Sequence, residues 1–263
     1  YFSDQPGWAE QHPQLYWQSL VDACHKLWEE GFDPAKIVGM AVTTQRGTMV
    51  NLDVNGEPLR PATVWLDQRQ AHKLPVLPGA WRAAFKLAGA SDVVRSFLRQ
   101  AKANWLAEHE PETLEKTHKY LQLSGYLNFK LTGQYRDSVG SQVGYVPFDF
   151  KRRRWANRFD WKWSALPLRR EQMAELVEPG DLLGEISASA AADTGLPAGL
   201  PVFAAAADKA CEILAGGGLE EGVACLSYGT TATVNTMTRK YFEATKLLPP
   251  YPAAAPGYYY SEV

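Results

Sequence analysis

The sequence predicts an α/β protein, and three features predict it. A helical period runs through "HPQLYWQSLVDACHKLWEEGF", where Tyr16, Leu20, Cys24 and Leu27 recur on one face. A hairpin signature follows at "GTMVNLDVNGEPLRPATVW", two extended runs around Asn55-Gly56. Short apolar runs also alternate with helical stretches along the chain, the order that builds mixed layers.

Each element has its own signals. Pro13 suits the first turn of the opening helix and Gly31 its end. "KIVGMAV" (36–42) reads as a short buried strand. Residues 99–132 read as helices broken at Pro111, the last ending at Gly133 after "YLNFKLT". "RDSVGSQVGYVPFDF" has too little period to assign. The turn-rich "LPAGLPV" feeds a strand at Val202–Ala207, and Asp208 onward is helical until the glycines at 216–218. "VACLSYGTTATVNTM" reads as two strands around a tight Gly-Thr turn, because Thr and Val favour extended backbone. "PPYPAAAPG" (249–257) reads as a linker.

Composition excludes several function classes. Of 263 residues, 46% are apolar and 21% charged, so an ordinary packed core is available. A net charge of −2 supplies no general attraction to nucleic acid. The basic run Lys151-Arg152-Arg153-Arg154 reads as a solvated loop. No apolar stretch is long enough to span a bilayer and no signal peptide is visible. Cys24, Cys211 and Cys225 sit in apolar contexts without metal spacing, as buried free thiols do in a reducing, cytoplasmic setting. The chain starts at Tyr1 and stops at "GYYYSEV", so both ends read as cut from a longer protein.

Three patches could carry chemistry. Asp208 falls where a strand gives way to a helix. It suits an N-cap, and equally a general base at the carboxyl end of a strand, where open α/β sheets place ligands. Lys209 reads as a surface lysine or as a polar contact beside that base. "SYGTTAT" (227–233) reads as a plain hairpin turn or as an anion cradle, in which Gly229 frees the backbone and Thr230 and Thr231 add donors. "TTQRGT" and "VWLDQR" offer Gln45, Arg46, Trp65, Asp67 and Arg69, a set suited to a polyol. The alternative for that set is an Arg46–Asp67 ion pair with Trp65 in the core.

Taken in order, these stretches resemble the FGGY family of carbohydrate kinases. "QPGWAEQHPQLYW", "AVTTQRGTMVNLDVNGEPLRPATVWLDQR", "YLNFKLTG", "GLPVFAAAADKACEILAGGG" and "LSYGTTATV" each resemble a family segment, and together they cover nearly the whole chain. The resemblance implies an actin-like ATPase architecture of ribonuclease-H-like domains. Residues 1–213 would be a sugar-binding domain lacking its first strands, and 214–263 the start of a nucleotide-binding domain. It implies ATP and Mg2+ as cofactors, a sugar or polyol as substrate, no nucleic-acid or membrane partner, and leaves a homodimer open. Asp208 would be the catalytic base. Gln45, Arg46, Gly47, Trp65, Asp67 and Lys209 would meet the sugar, and Gly229, Thr230 and Thr231 the ATP phosphates.

Departures from the family pattern narrow the substrate. Glycerol kinases carry Glu where Gly47 stands, and their pocket tyrosine aligns with Ser138. Both changes remove bulk, favouring a pentose, pentulose or related polyol over glycerol. Lys209 stands where the family usually has an amide. The family's first phosphate loop is absent, and "ADTGLPAG" (192–199) lies in a turn before a strand and is rejected as its substitute. The fragment alone is expected to be inactive. A non-catalytic sugar sensor on the same scaffold is the alternative.

Overall fold

The computed structural model describes residues 1–220, 222–228, 232–244 and 248–262. The fold is mixed α/β.

The first helix, Pro13–Glu29, forms as expected, with Pro in its first turn. Its buried stripe is Trp17, Val21 and Cys24, with Tyr16 and Leu20 at the margin and Leu27 exposed. The stripe turns toward the helix Ala188–Thr194, because two indoles anchor it there. Trp17 Nε1 donates to Asp193 at 3.2 Å, and Trp28 Nε1 to the Thr194 carbonyl at 2.8 Å. Gly195 closes that partner helix at φ +75°, so "ADTG" is a helix C-terminus. That is the wrong dipole end for a phosphate, which agrees with its rejection.

The hairpin forms around Asn55-Gly56. Asp53 Oδ1 accepts the N–H groups of Asn55 and Glu57, and Gly56 sits at φ +82° against the ring of Phe129. Met49–Leu52 pairs with the return strand Ala62–Thr63 through Met49 and Thr63. Its other flank pairs antiparallel with Lys119–Gln122. That strand interrupts the stretch expected to be all helical. Tyr120, Leu121 and Gln122 are all buried, so it shows no alternation to read. The helices on either side, Lys102–His109, Pro111–Lys116 and Leu123–Thr132, follow the expected breaks at Pro111 and Gly133.

A second sheet runs Leu182–Glu185, Pro201–Phe203, Met40–Ala41; its last pair is parallel. "KIVGMAV" is a two-residue edge strand, not a buried one: Val38 is 88% exposed. The strand expected to reach Ala207 ends at Phe203. Beyond it, loop carbonyls take over the backbone donors: Ala204 N–H donates to Asp181 and Ala207 N–H to Gly140.

The helix Asp208–Ala215 ends at the glycines, and Cys225–Tyr228 pairs antiparallel with Ala232–Thr238, both as expected. "PPYPAAAPG" is no linker. Tyr251–Pro252 is a strand on Tyr259–Glu262, and Ala253 is 1% exposed. The reason is a small shared core: Ala206, Ala210 and Ile213 pack on Ala253 and Tyr260. All three cysteines are free; Cys24 is buried and the other two are half-buried.

Candidate functional site

The site begins with backbone. The loop after Met40–Ala41 carries Thr43 and Thr44, and both tie it to the start of the helix Asp208–Ala215. Thr43 Oγ1 donates to the Ala206 carbonyl at 2.8 Å, and the Asp208 N–H donates to the Thr44 carbonyl at 3.0 Å. The "TTQRGT" turn and Asp208 thus share one face, although 160 residues separate them in the chain.

Asp208 is the first helical residue, with Ala207 as the cap. The N-cap alternative therefore fails by one position. Asp208 is half-buried, and its Oδ1 accepts the Lys209 N–H at 2.7 Å. Among the described residues no side chain donates to its carboxylate. The small residues Ala204–Ala207 flank it, and Gly140 lies directly behind. A Cβ on Gly140 would stand 2.6 Å from Ala206 Cβ.

The neighbouring turn holds three more of the expected residues. Gln45 Nε2 reaches the Tyr16 hydroxyl at 3.4 Å and Thr48 Oγ1 at 3.3 Å. Gly47 takes φ +73°, which favours glycine, and Trp65 Cβ would lie 3.8 Å from an added Cβ. Trp65 N–H donates to Thr48 Oγ1, and its side chain is 55% exposed rather than in the core. The fully buried Thr48 thus ties Gln45 to the backbone of the exposed Trp65, and the Asp208 N–H meets the same loop at Thr44.

Other expected residues are engaged elsewhere. Arg46 turns to the final strand: Nη1 bonds Glu262 at 2.7 Å and the Tyr260 hydroxyl at 3.0 Å. Burial opposes its charge, but Tyr260 and Glu262 outweigh burial and raise its pKa. Lys209 runs along its own helix to Glu212 at 2.6 Å and across to Ser227 Oγ at 2.9 Å. Ser138 is 1% exposed, and its hydroxyl accepts the Gly140 N–H, so the argument from lost bulk rests on Gly47 alone. Gly229, Thr230 and Thr231 lie outside the described residues.

Asp67 is wholly buried. It accepts the Ala9 N–H at 2.9 Å, Arg69 Nε at 2.7 Å and Lys102 Nζ at 3.0 Å. The Arg46–Asp67 pair does not form. Burial pushes the Asp67 carboxyl up, but Arg69, the Ala9 N–H and Lys102 outweigh it and hold the pKa below the usual range. Arg69 also bonds Glu10 at 2.8 Å, and its guanidinium sits between Trp8 and Trp105, 4.3 and 4.5 Å from their rings. The "PGWAE" and "WLDQR" stretches are thus two halves of one buried knot. That knot fixes the hairpin from which Trp65 projects.

Sequence reading passed over Thr43, Thr44, Thr48, Tyr16 and Gly140. The threonines stood in the quoted motif, but their hydroxyls and carbonyls point to partners that only folding supplies. Gly140 had no period around it to mark it.

Comparison with known proteins matches the chain to a family. Residues 2–215 match the model of the FGGY family of carbohydrate kinases, N-terminal domain. The chain is 28% identical over 227 residues to the xylulose kinase of Escherichia coli, covering 86% of this chain and 45% of that protein. It is 30% identical over 247 residues to the Escherichia coli L-fuculokinase, covering 93% of this chain and 50% of that protein. The crystal structure of xylulose kinase from Rhodospirillum rubrum superposes with a TM-score of 0.83 at 24% identity, over 100% of this chain and 54% of that one. The chain spans about half the length of the relatives it matches. Its fold is the actin-like ATPase fold of those kinases, and it belongs to the FGGY family of carbohydrate kinases.

Proposed function

We propose that the chain is the sugar-binding part of a kinase that transfers the γ-phosphoryl group of ATP to a sugar or polyol hydroxyl. The observation that carries the reading is the joint placement of Asp208 and the Gln45–Thr48 turn on one face. Asp208 is the general base: its carboxylate accepts the hydroxyl proton as that oxygen attacks the γ-phosphorus. Among the described residues no side chain donates to it, which leaves an oxygen for that proton, and such a base supplies about 10²–10⁴-fold in rate. Positioning and charge neutralisation supply much of the rest.

The sugar lies over the exposed Trp65 indole, with Gln45 as amide partner and Gly47 leaving room for its carbon chain. Asp67 acts through the knot that holds Trp65, and Arg46 through its bond to Glu262. Lys209 bridges the helix of the base to Ser227, which leads to the Gly229–Thr231 turn assigned to the ATP phosphates. Mg2+ would enter with ATP and neutralise its phosphates. Among the described residues no group of three or more His, Cys, Asp or Glu forms a metal cluster. The similarity to xylulose kinases supports a pentulose substrate, and the similarity to L-fuculokinase extends the range to a six-carbon ketose.

We assign residues 1–213 to domain one and 214–263 to the start of domain two, and we propose a cytoplasmic location. Among the described residues no helix is long and apolar enough to cross a membrane.

The test is Asp208→Asn in the full-length protein, read with a panel of pentuloses, hexuloses and pentitols. Turnover should fall by about 10²-fold or more while sugar-induced stabilisation persists. Normal turnover in the variant overturns the assignment of the base. Sugar binding without ATP consumption in the unsubstituted protein points to a sensor instead.

A further inference from the structure

A cavity of about 730 Å³ opens between the Arg136–Ser138 and Glu175–Val177 strand pair and the Lys151–Arg154 hairpin. It shares no lining residue with the Asp208 face. Lys119, Arg136, Arg153, Arg154 and Arg170 line it, against the carboxylates of Glu171 and Glu175. Two of the arginines are matched: Arg136 pairs with Glu175 at 2.8 Å and Arg153 with Glu178 at 3.3 Å.

The other three cations are not matched. Among the described residues none of them has a carboxylate within ion-pair distance. Lys119 Nζ has only the Glu171 backbone carbonyl at 2.6 Å, over the ring of Tyr135. Arg170 reaches the Ala156 carbonyl at 3.4 Å, and Arg154 is exposed on the return strand, opposite Asp149. Burial draws the Lys119 pKa below the usual lysine range, with Glu171 pulling it back. Positive groups gathered in a concavity with carbonyl partners alone leave a favourable place for an anion.

We propose that this cavity binds a small phosphorylated molecule, held by the forked donors of Arg154 and Arg170 and by Lys119. Guanidinium groups match phosphate oxygens in pairs, and neither Arg154 nor Arg170 is tied to a carboxylate among the described residues. Trp155, Tyr135 and Met173 supply apolar wall for the body of the ligand. The volume fits a small molecule, and the chain's net charge of −2 gives no pull on a long polyanion. Arg153 and Arg154, from the basic run first read as a solvated loop, form one rim of the site.

The test is calorimetric titration of this chain with pyrophosphate, against sodium chloride at matched ionic strength. One saturable site is expected, weakened on the order of ten-fold or more in Arg154→Ser/Arg170→Ser. Both side chains are exposed, so the variant should keep its thermal midpoint; should it fail to fold, Arg154→Ser alone gives the same reading. Absence of saturable binding overturns the proposal, as does unchanged affinity in the variants. Loss of binding on Lys209→Gln instead would place the anion beside Asp208 and overturn it too. Asp208→Asn, which tests the kinase reading, leaves this binding intact.

Discussion

The N–H of Asp208 donates to the carbonyl of Thr44 at 3.0 Å, and this bond joins the two halves of the candidate site. It holds the first turn of the helix Asp208–Ala215 against the loop carrying Gln45 and Gly47. Perturbing what stands behind it should move the base without touching it.

Gly140→Ala is such a perturbation. The new methyl would lie 2.6 Å from Ala206 Cβ and 3.2 Å from its Cα, so backbone must shift. A cost of about 1–3 kcal/mol is expected from overpacking, measurable by urea unfolding. In the full-length enzyme kcat should fall more than sugar affinity, because Asp208 rides on Ala206–Ala207. Unchanged kcat would show that this contact does not position the base.

Asp67→Asn should weaken the buried knot severely. It leaves Arg69 and Lys102 buried with a lost partner, a loss of about 3–5 kcal/mol. Denaturant midpoints measure it. A drop within ~1 kcal/mol would instead mark Asp67 as a ligand group with little structural share.

Asp137 gives the chain an unusual pH response. It is buried without a cation, and burial pushes its carboxyl up to about 6 despite donors from Ser138, Ser124 and Gln142. A raised folded pKa contributes stability that is fully present below about 3.9, the unfolded value, and is lost as pH rises through 6. The amplitude is on the order of 3 kcal/mol. Asp67, with its lowered pKa, acts in the opposite sense: its share is present above about 3.9 and is lost as pH falls through the lower folded value. Unfolding free energies from pH 4 to 7 should therefore fall for the natural chain relative to Asp137→Asn. Parallel curves would refute the assignment.

Lys209→Gln separates two roles for that side chain. A direct charged hydrogen bond to the sugar is worth about 1.5–3 kcal/mol, so its loss would weaken sugar binding at least ten-fold. The bridge to Glu212 and Ser227 predicts sugar affinity within about two-fold and a higher KM for ATP. Steady-state kinetics with each substrate varied decides.

Much of the fold was legible in local signals, and two failures have separate causes. Pro13, Pro111, Gly133 and Asn55-Gly56 act within a few residues, through ring sterics and positive φ, and each element they mark is present. Lys119–Gln122 was taken for helix because both its faces are buried. Tyr251–Pro252 was taken for linker because its proline content hid a strand held by Tyr260 and Ala253.

By itself the sequence determined which residues could do chemistry: an aspartate at a helix start, an indole, an amide, and a glycine in a tight turn. Only the tertiary structure decided their duties. It sent Arg46 to Glu262, Asp67 to Arg69 and Lys209 to Ser227, and it left Trp65 exposed and Asp208 half-buried, its N–H on the Thr44 carbonyl next to Gln45. The reason is physical. A charged side chain brought out of water takes the nearest opposite charge or dipole, and which one is nearest is a property of the folded backbone, not of spacing along the chain.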